Sequence, residues 1–430
     1  MSKSTTVGRF ERLVLRNLRC FREAEIELDP QVTVLIGENG SGKTSVVEAL
    51  ASLTQGEGEE FQSFPVSRGA KTGEASLYAA GQKAAVAVWK SSGKSSGLRL
   101  PEGRYLFAYG RYRRVHFPGG DQPVPPSQLE ILLEALANRA RQGRSVTVFK
   151  PDNHLLRDLS RYLAALHLAS RTDPRLATMW DRLNASLREL GHGIEGVEVG
   201  EGKVTYIPFV VRNGVRLELQ ELSDGYQAML VIVFDLVLRY IYLFQTLDDP
   251  LLGETTVAID EVDLHLHPRW QRTVVRQLVR LFPNTQFVLT THSAAVVQGA
   301  IDYKQTVVTL REEEGAAVPR KLSPKEMNEM DGAEIGSVLQ EDKLFGTDSR
   351  YSPKYSSVED RVAEIRSRME RGEATDEDRT KLFKDLDTLQ SLVAADEERR
   401  ADGAFLSQMT GLQKIFLEDI AAAYERAKQS

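Results

Sequence analysis

The sequence predicts an α/β fold: a mixed or parallel sheet with a phosphate-binding loop, built from two sequence-distant lobes, with a helical insertion between them and a helical C-terminal region. Three observations predict it. A near-continuous apolar run, Val32–Ile36, ends at GENGSGKT (Gly37–Thr44), which matches G-x-x-x-x-G-K-[ST]. Two further apolar runs, Val257–Ile259 and Phe287–Thr290, lie far downstream and end in AspGlu and ThrHisSer. Elsewhere the apolar spacing alternates between the period of 2 expected for strands and the 3.6 period expected for helices.

Composition bounds the reading. Hydrophobic residues make up 41% and charged residues 27% of the 430, which suits a globular chain of two or three domains and not a disordered one. The single cysteine, Cys20, excludes an intramolecular disulfide, and no basic N terminus followed by an apolar stretch marks a signal peptide, so a cytoplasmic location is expected. The most apolar run, Met229–Phe244, is interrupted by Asp235 and Arg239 and is shorter than the about 20 apolar residues that span a bilayer. A buried helix is expected there, with no membrane partner. A net charge of −6 does not advertise nucleic-acid binding over the whole surface, although it leaves room for a local basic face.

In chain order, Leu13–Leu15 and Ala24–Leu28 read as two amphipathic strands feeding the buried strand that ends at Gly37. A helix should begin near Lys43 and carry Val46, Val47, Ala49 and Leu50 inward. Gly56–Gly103, rich in Gly, Ser, Ala and Lys, contains one apolar run, AAVAVW, and reads as a peripheral insertion with hairpins. Tyr105–Tyr109 reads as a strand and PGGDQPVPP after it as an exposed loop. From Gln128 to Leu190 the spacing is mostly helical, with Leu156, Leu159, Leu163 and Leu166 on one face; Gly196–Leu219 returns to short strands. These shifts divide the chain into residues 1–60 and 205–320 as the two parts of a core, 61–204 as an insertion with hairpins and helices, and 321–430 as a charged helical region.

In that last region, Ser357 with Asp360 and Thr375 with Asp378 have the spacing of a capped helix start. Val358, Val362, Ile365 and Met369, then Leu382, Leu386, Leu389 and Val393, follow at helical spacing. Two antiparallel helices are expected, then an amphipathic helix from Phe405 to about Ala427. Their charge reads either as a solvated face or as a surface for a partner.

Four segments carry chemistry. In the first, glycines let successive backbone N–H groups of Gly37–Thr44 point at phosphate oxygens, Lys43 supplies a positive charge, and the Thr44 hydroxyl suits Mg²⁺. In the second, TTVAIDEVDLHLHP, a buried strand delivers Asp260 and Glu261 at its carboxyl end, where α/β folds bind ligands. Asp260 suits the Mg²⁺ shell and Glu261 an attacking water; solvation of a strand end is the competing reading. In the third, QFVLTTHS, His292 ends a strand within reach of a γ-phosphate, or serves the fold alone. In the fourth, LQELSDGYQAML, Ser223 and Gly225 begin the apolar helix and aim its N terminus at an anion, or Ser223 is an ordinary cap.

These segments, in this order, resemble the ATP-binding cassette (ABC) superfamily, over roughly residues 10–55 and 205–300, as its Walker A, signature, Walker B and switch-histidine motifs. The resemblance implies an ABC-type ATPase head that binds ATP with Mg²⁺. It implies nucleotide contacts from Gly37, Asn39, Gly40, Ser41, Gly42, Lys43, Thr44 and Ser45, a metal site at Thr44 and Asp260, and catalytic roles for Glu261 and His292. It further implies a homodimer with two ATP sites, each completed by Ser223 and Gly225 of the other copy.

The opening LRNLRCFREAEIEL with IGENGSGKTS looks like the RecF, SMC and OLD group. LSDGYQ, DEVDLHLHP and THSAAVV, followed by the charged hairpin, most resemble the AAA-type ATP-binding proteins of bacterial phage-defence operons, the PtuA-like ATPases among them. Three departures matter. No long heptad pattern separates the first motif from the signature, which excludes an SMC rod. The tail lacks the DxD cluster of the OLD nuclease, so the chain is not expected to cut nucleic acid. No residue is assigned to a Gln loop. His265 and His267 with Asp263 read as part of a dimer-contact loop in preference to a metal site.

The implied function is hydrolysis of ATP to ADP and phosphate as a nucleotide-driven switch in anti-phage defence, controlling an effector such as a nuclease docked on the tail. The alternative is a RecF/SMC-like repair or recombination ATPase that binds DNA directly. Its basic run is YLFAYGRYRRVHF, where Arg111, Arg113 and Arg114 interleave with Tyr105, Tyr109 and Tyr112. That run is open to three readings: nucleic-acid contact, contact with ATP, or a solvated loop. Arg139, Arg141 and Arg144 form a second basic patch.

Overall fold

The computed structural model describes residues 9–53, 65–91, 95–98, 100–101, 103–111, 159–189, 193–201, 206–244 and 246–330, and the separate positions 361, 362, 365, 368, 381, 384 and 385. The expectations placed on Leu156, Tyr112, Arg113, Arg114, Arg139, Arg141, Arg144, the loop at 118–126, the two capping pairs and the helix from Phe405 lie outside the described residues. The chain divides into two compact units, Met1–Gly346 and Thr347–Ser430.

In the first unit, β1 (Arg12–Leu18) and β2 (Phe21–Glu27) form the expected hairpin; β2 alternates from Ala24 to Glu27, while β1 buries Leu13, Val14 and Leu15 in succession. β3 (Val32–Gly37) is buried throughout and delivers the chain to α1 (Lys43–Ser52). The hairpin of β4 (Thr72–Ala79) and β5 (Gln82–Lys90) turns at Ala80 and Gly81, both with positive φ, as a two-residue hairpin loop requires. This hairpin is not peripheral. β4 pairs antiparallel with β1, Leu13 opposite Leu77, and the sheet runs β2-β1-β4-β5-β6, with β6 at Ser95–Leu98. Its Ala75, Leu77, Ala85, Ala87 and Trp89 pack with Val46, Val47 and Leu50 of α1.

The central sheet draws its strands from three distant parts of the chain. β7 (Leu106–Tyr109), β11 (Thr255–Ile259), β12 (Thr285–Thr290), β3 and β13 (Thr306–Glu313) are parallel neighbours, and β14 (Ala316–Lys321) closes one edge antiparallel. Strands buried on both faces read as continuous apolar runs, which is why Val32–Ile36 and Phe287–Leu289 do not alternate. The pleat sends their side chains to two cores. Val34, Ile36, Val257, Ile259, Phe287 and Leu289 enter one, and Leu35, Ala258, Val288 and Val308 enter the other with α1 and the antiparallel sheet.

The first of these cores is built on helices. α2 (Leu159–Ser170) and α3 (Pro174–Glu189) contribute Leu163, Leu166, Leu183 and Leu187, and a three-stranded sheet of β8 (Ile194–Glu201), β9 (Tyr206–Arg212) and β10 (Val215–Glu218) follows. α4 (Asp224–Leu243) runs through its centre, with 78% of its apolar window buried inside the protein. This helix is long and apolar enough to cross a membrane by length and composition, but its surface is covered by other parts of the chain. Asp235 and Arg239, one turn apart on it, pair inside the core at 2.6 Å. Short helices α5 (Pro268–Gln271) and α6 (Val274–Leu281), then α7 (Ala294–Asp302), link and follow β11 and β12, and α8 (Pro324–Met330) follows β14.

In the second unit the seven described positions are helical. Val362 and Ile365 of the expected apolar stripe are buried, and Arg361 pairs with Asp385 at 3.0 Å, joining the two predicted helical segments.

Candidate functional site

Parallel strands β3, β11 and β12 end at one edge of the central sheet, so the segments that follow them meet although they are remote in sequence. After β3 the loop turns into α1 at Gly42, whose φ of 102° and whose contacts exclude a larger residue: a Cβ there would lie 2.6 Å from the Phe21 ring and 2.8 Å from Cys20 Sγ. No side chain caps α1 and its first turn contains no acid, so the helix start keeps its N–H groups for an anion. Lys43 is buried, and its Nζ donates to the carbonyls of Gly37 and Glu38, each at 2.7 Å. Burial brings the amine down to about 8, against the pull of Asp260, Glu261, Asp263 and Glu38 towards the charged form.

Asp260 is fully buried at the end of β11. Its Oδ1 accepts from the Thr290 hydroxyl at 2.7 Å and from the Thr44 hydroxyl at 3.2 Å, while Oδ2 is buried with no hydrogen-bond partner. A buried carboxylate oxygen without a donor is costly, and a cation removes the cost. One carboxylate and one hydroxyl, completed by phosphate oxygens and water, is a donor set that suits Mg²⁺. Among the described residues no cluster of three or more His, Cys, Asp or Glu side chains could hold a metal by itself. In the loop that follows, His267 Nδ1 accepts from Arg269 N and caps α5, and Asp263 Oδ1 accepts from the Thr291 hydroxyl.

Glu261 follows with φ of 47°, a left-handed conformation that a residue with a side chain adopts at a cost of order 1 kcal/mol. Its N–H donates to Thr290 Oγ1 at 2.7 Å, so a single hydroxyl orients Asp260 through its proton and Glu261 through its lone pair. Thr290 has no place among the residues expected from sequence; its signal is the first threonine in TTHS, aligned by parallel pairing beside the AspGlu strand. His292 is exposed two residues further on, and desolvation by its surroundings, then the charge on Lys43, hold its pKa below the ordinary histidine value. The imidazole is therefore neutral at pH 7.

Ser45 is buried, and its hydroxyl accepts from Arg19 at 3.0 Å, with Glu48 ion-paired to the same guanidinium. Arg19, in the β1–β2 turn, is a second residue that the sequence reading missed, since an arginine in a hairpin turn has no distinctive spacing.

Ser223 and Gly225 stand apart from this edge: among the described residues no hydrogen bond joins either to residues 37–45. Ser223 is exposed and its side chain makes no capping bond, so the ordinary-cap reading fails. Gly225 is buried under the 263–267 loop, where a Cβ would meet His265 O at 2.2 Å. Tyr226 packs edge-on against Trp270 with centroids 4.2 Å apart.

Part of the basic run lies among the described residues. Tyr109 is fully buried and donates to Asp235 at 2.7 Å, so it is not presented to a nucleic-acid base, and Tyr105 is half-buried against Phe244. Of the three arginines only Arg111 is described. The β7–β11 register sets Tyr109 beside Ile259, which places Arg111 on the Asp260 edge, where its charge acts on Glu48.

Residues 57–298 match the family model described as "AAA domain, putative AbiEii toxin, Type IV TA system", and residues 12–99 match a model described as "AAA domain". Among curated proteins, the chain is 24% identical to Septu protein PtuA of Bacillus mycoides (strain KBAB4) over 358 residues, covering 78% of this chain and 44% of that protein. It is 44% identical to the Retron Vc95 probable ATPase of Vibrio cholerae serotype O1 biovar El Tor over 88 residues, 20% of this chain and 17% of that one. The chain spans less than half the length of either relative. Among solved structures it is similar to an Smc head bound to the C-winged helix domain of ScpA, at 13% identity and a TM-score of 0.46, covering 74% of this chain and 99% of that one.

Proposed function

The chain belongs to the AAA-domain family whose model spans residues 57–298, and on that premise we propose that it is a MgATP-hydrolysing switch. The observation that carries this reading is the meeting of Thr44, Thr290 and the unpaired Asp260 oxygen beside the phosphate loop. Residues 37–44 and the start of α1 hold the triphosphate by backbone N–H groups, and Lys43 moves from the loop carbonyls to phosphate oxygens. Thr44 and Asp260 hold Mg²⁺, which when bound offsets the charge developing on the phosphates. Glu261, set by Thr290, orients and deprotonates the attacking water. Neutral His292 donates a hydrogen bond to the γ-phosphate.

Ser223, exposed and without a capping bond, suits contact with nucleotide on a second copy, giving a homodimer that ATP closes and hydrolysis opens. Two relatives are a Septu protein and a retron ATPase, which supports a place in anti-phage defence, with an effector such as a nuclease docked on the helical region after residue 321. The DNA-binding alternative loses the stacking residue Tyr109 to the core, whereas Arg111 is better placed to meet nucleotide. Phosphate release from MgATP by the full chain tests the reading: turnover that Glu261→Gln abolishes supports it, and an inactive wild type that fails to bind MgATP overturns it.

A further inference from the structure

We propose that Gln271 is a positioning residue for His292, locking the loop after β12 to the segment that follows Asp260 and, through it, to the start of α4. The proposal rests on His292 being the γ-phosphate contact.

Hydrogen-bond counting identifies Gln271. A serine hydroxyl has one proton and two lone pairs. Ser293 Oγ accepts from Ala295 N at 3.1 Å and Val296 N at 3.4 Å, capping α7, so its proton must go elsewhere. It goes to Gln271 Oε1 at 2.7 Å. The other end of the same amide, Nε2, donates to Leu266 O at 2.9 Å. The reverse orientation of the amide would set oxygen against the Leu266 carbonyl, so both partners select one rotamer of one side chain.

His292 is consequently clamped from both sides by residues of one segment. On its N-terminal side Thr291 donates to Asp263 at 2.5 Å and accepts from Ser293 N at 2.9 Å; on its C-terminal side Ser293 is held by Gln271. That segment also carries the start of α4: the His265 carbonyl lies over Gly225, and Trp270, next to Gln271, meets Tyr226. A displacement of α4 by nucleotide at Ser223 is thereby transmitted to His292 through packed, directional contacts, with Gln271 as the link on its C-terminal side. The charged groups facing that imidazole, Lys43, Asp260, Glu261 and Asp263, all belong to the same edge.

The test compares full-length wild type with Gln271→Ala, His292→Ala, the double variant, and Arg272→Ala. Arg272 neighbours Gln271 but forms an exposed pair with Asp302, and its replacement serves as the control. Gln271→Ala is expected to lower kcat for MgATP by about 10-fold with KM within about 2-fold. In the double variant the loss should not exceed that of His292→Ala, because Gln271 acts only through it. A rise in KM at unchanged kcat, or losses that multiply, overturns the proposal.

A readout free of turnover accompanies it. In protein labelled at histidine ¹³Cε1, the resonance that His292→Gln deletes should move in Gln271→Ala and stay in place in Arg272→Ala. An unmoved resonance overturns the positioning role. A wild type that binds no MgATP sinks the ATPase reading instead, while the spectrum still decides whether Gln271 sets His292.

Discussion

The Thr44 hydroxyl lies 3.2 Å from Asp260 Oδ1, although 216 positions separate the two residues. This contact joins the start of α1 to the end of β11, and with Thr290 on the same oxygen it leaves only Oδ2 for a cation. Asp260→Asn keeps the shape of the side chain and removes its charge. Turnover of MgATP is predicted to fall by roughly 100-fold or more, with little change in thermal midpoint, measured by phosphate release and calorimetry. Turnover within a few-fold of wild type would place the metal elsewhere.

Lys43 predicts a pH dependence with a definite sign. In the free protein the amine titrates at about 8, below its ordinary value. A bound triphosphate favours the charged form, so below pH 8 the amine is protonated before and after binding and affinity is flat. Above pH 8 binding takes up a proton, and the Kd for MgATP should rise by up to about tenfold per pH unit. Titration calorimetry between pH 7 and 9.5 reads this; affinity constant through pH 9 would contradict it.

Gly225 and Ser223 are predicted to separate stability from assembly. Gly225→Ala drives a Cβ to within 2.2 Å of the His265 carbonyl and should destabilise the single chain by about 1–3 kcal/mol. Ser223→Ala removes an exposed hydroxyl that caps nothing, so urea unfolding should be unchanged within about 0.5 kcal/mol, while ATP-dependent association weakens. Equal destabilisation by both would return Ser223 to a local role.

The pair on α4 makes a prediction about the core. Arg239→Leu leaves the Asp235 carboxylate buried with Tyr109 as its remaining partner and should cost about 3–5 kcal/mol in urea unfolding. Replacing all three polar members, Asp235→Leu with Arg239→Met and Tyr109→Phe, should recover most of the loss, because no buried donor is left without an acceptor. If the triple variant is less stable than Arg239→Leu alone, the cluster contributes more than mutual neutralisation.

Much of this was legible in the sequence where a local rule applies. The strand-loop-helix at Val32–Ser52, the burial of α4 and the strands that run towards Asp260 and His292 follow from periodicity and glycine placement, although β12 stops at Thr290, two residues before the histidine. The hairpin at β4–β5 was found but read as peripheral, because alternation shows that a strand has a buried face and not which strand lies beside it. Tyr109 misled for a related reason: in YLFAYGRYRR it looks like part of a basic-aromatic surface, and only its partner Asp235, 126 residues away, shows that it points inward. Thr290 and Gln271 act through hydrogen bonds made across strands and loops, which no spacing along the chain encodes.

The central claim is that ATP closes two copies of this chain around nucleotide. It is tested most directly by the mass of Glu261→Gln in solution, measured by light scattering with MgATP and with MgADP. The account predicts a dimer with MgATP, a monomer with MgADP, and a monomer in both once Ser223→Arg is added. A Glu261→Gln protein that binds MgATP and stays monomeric would contradict it.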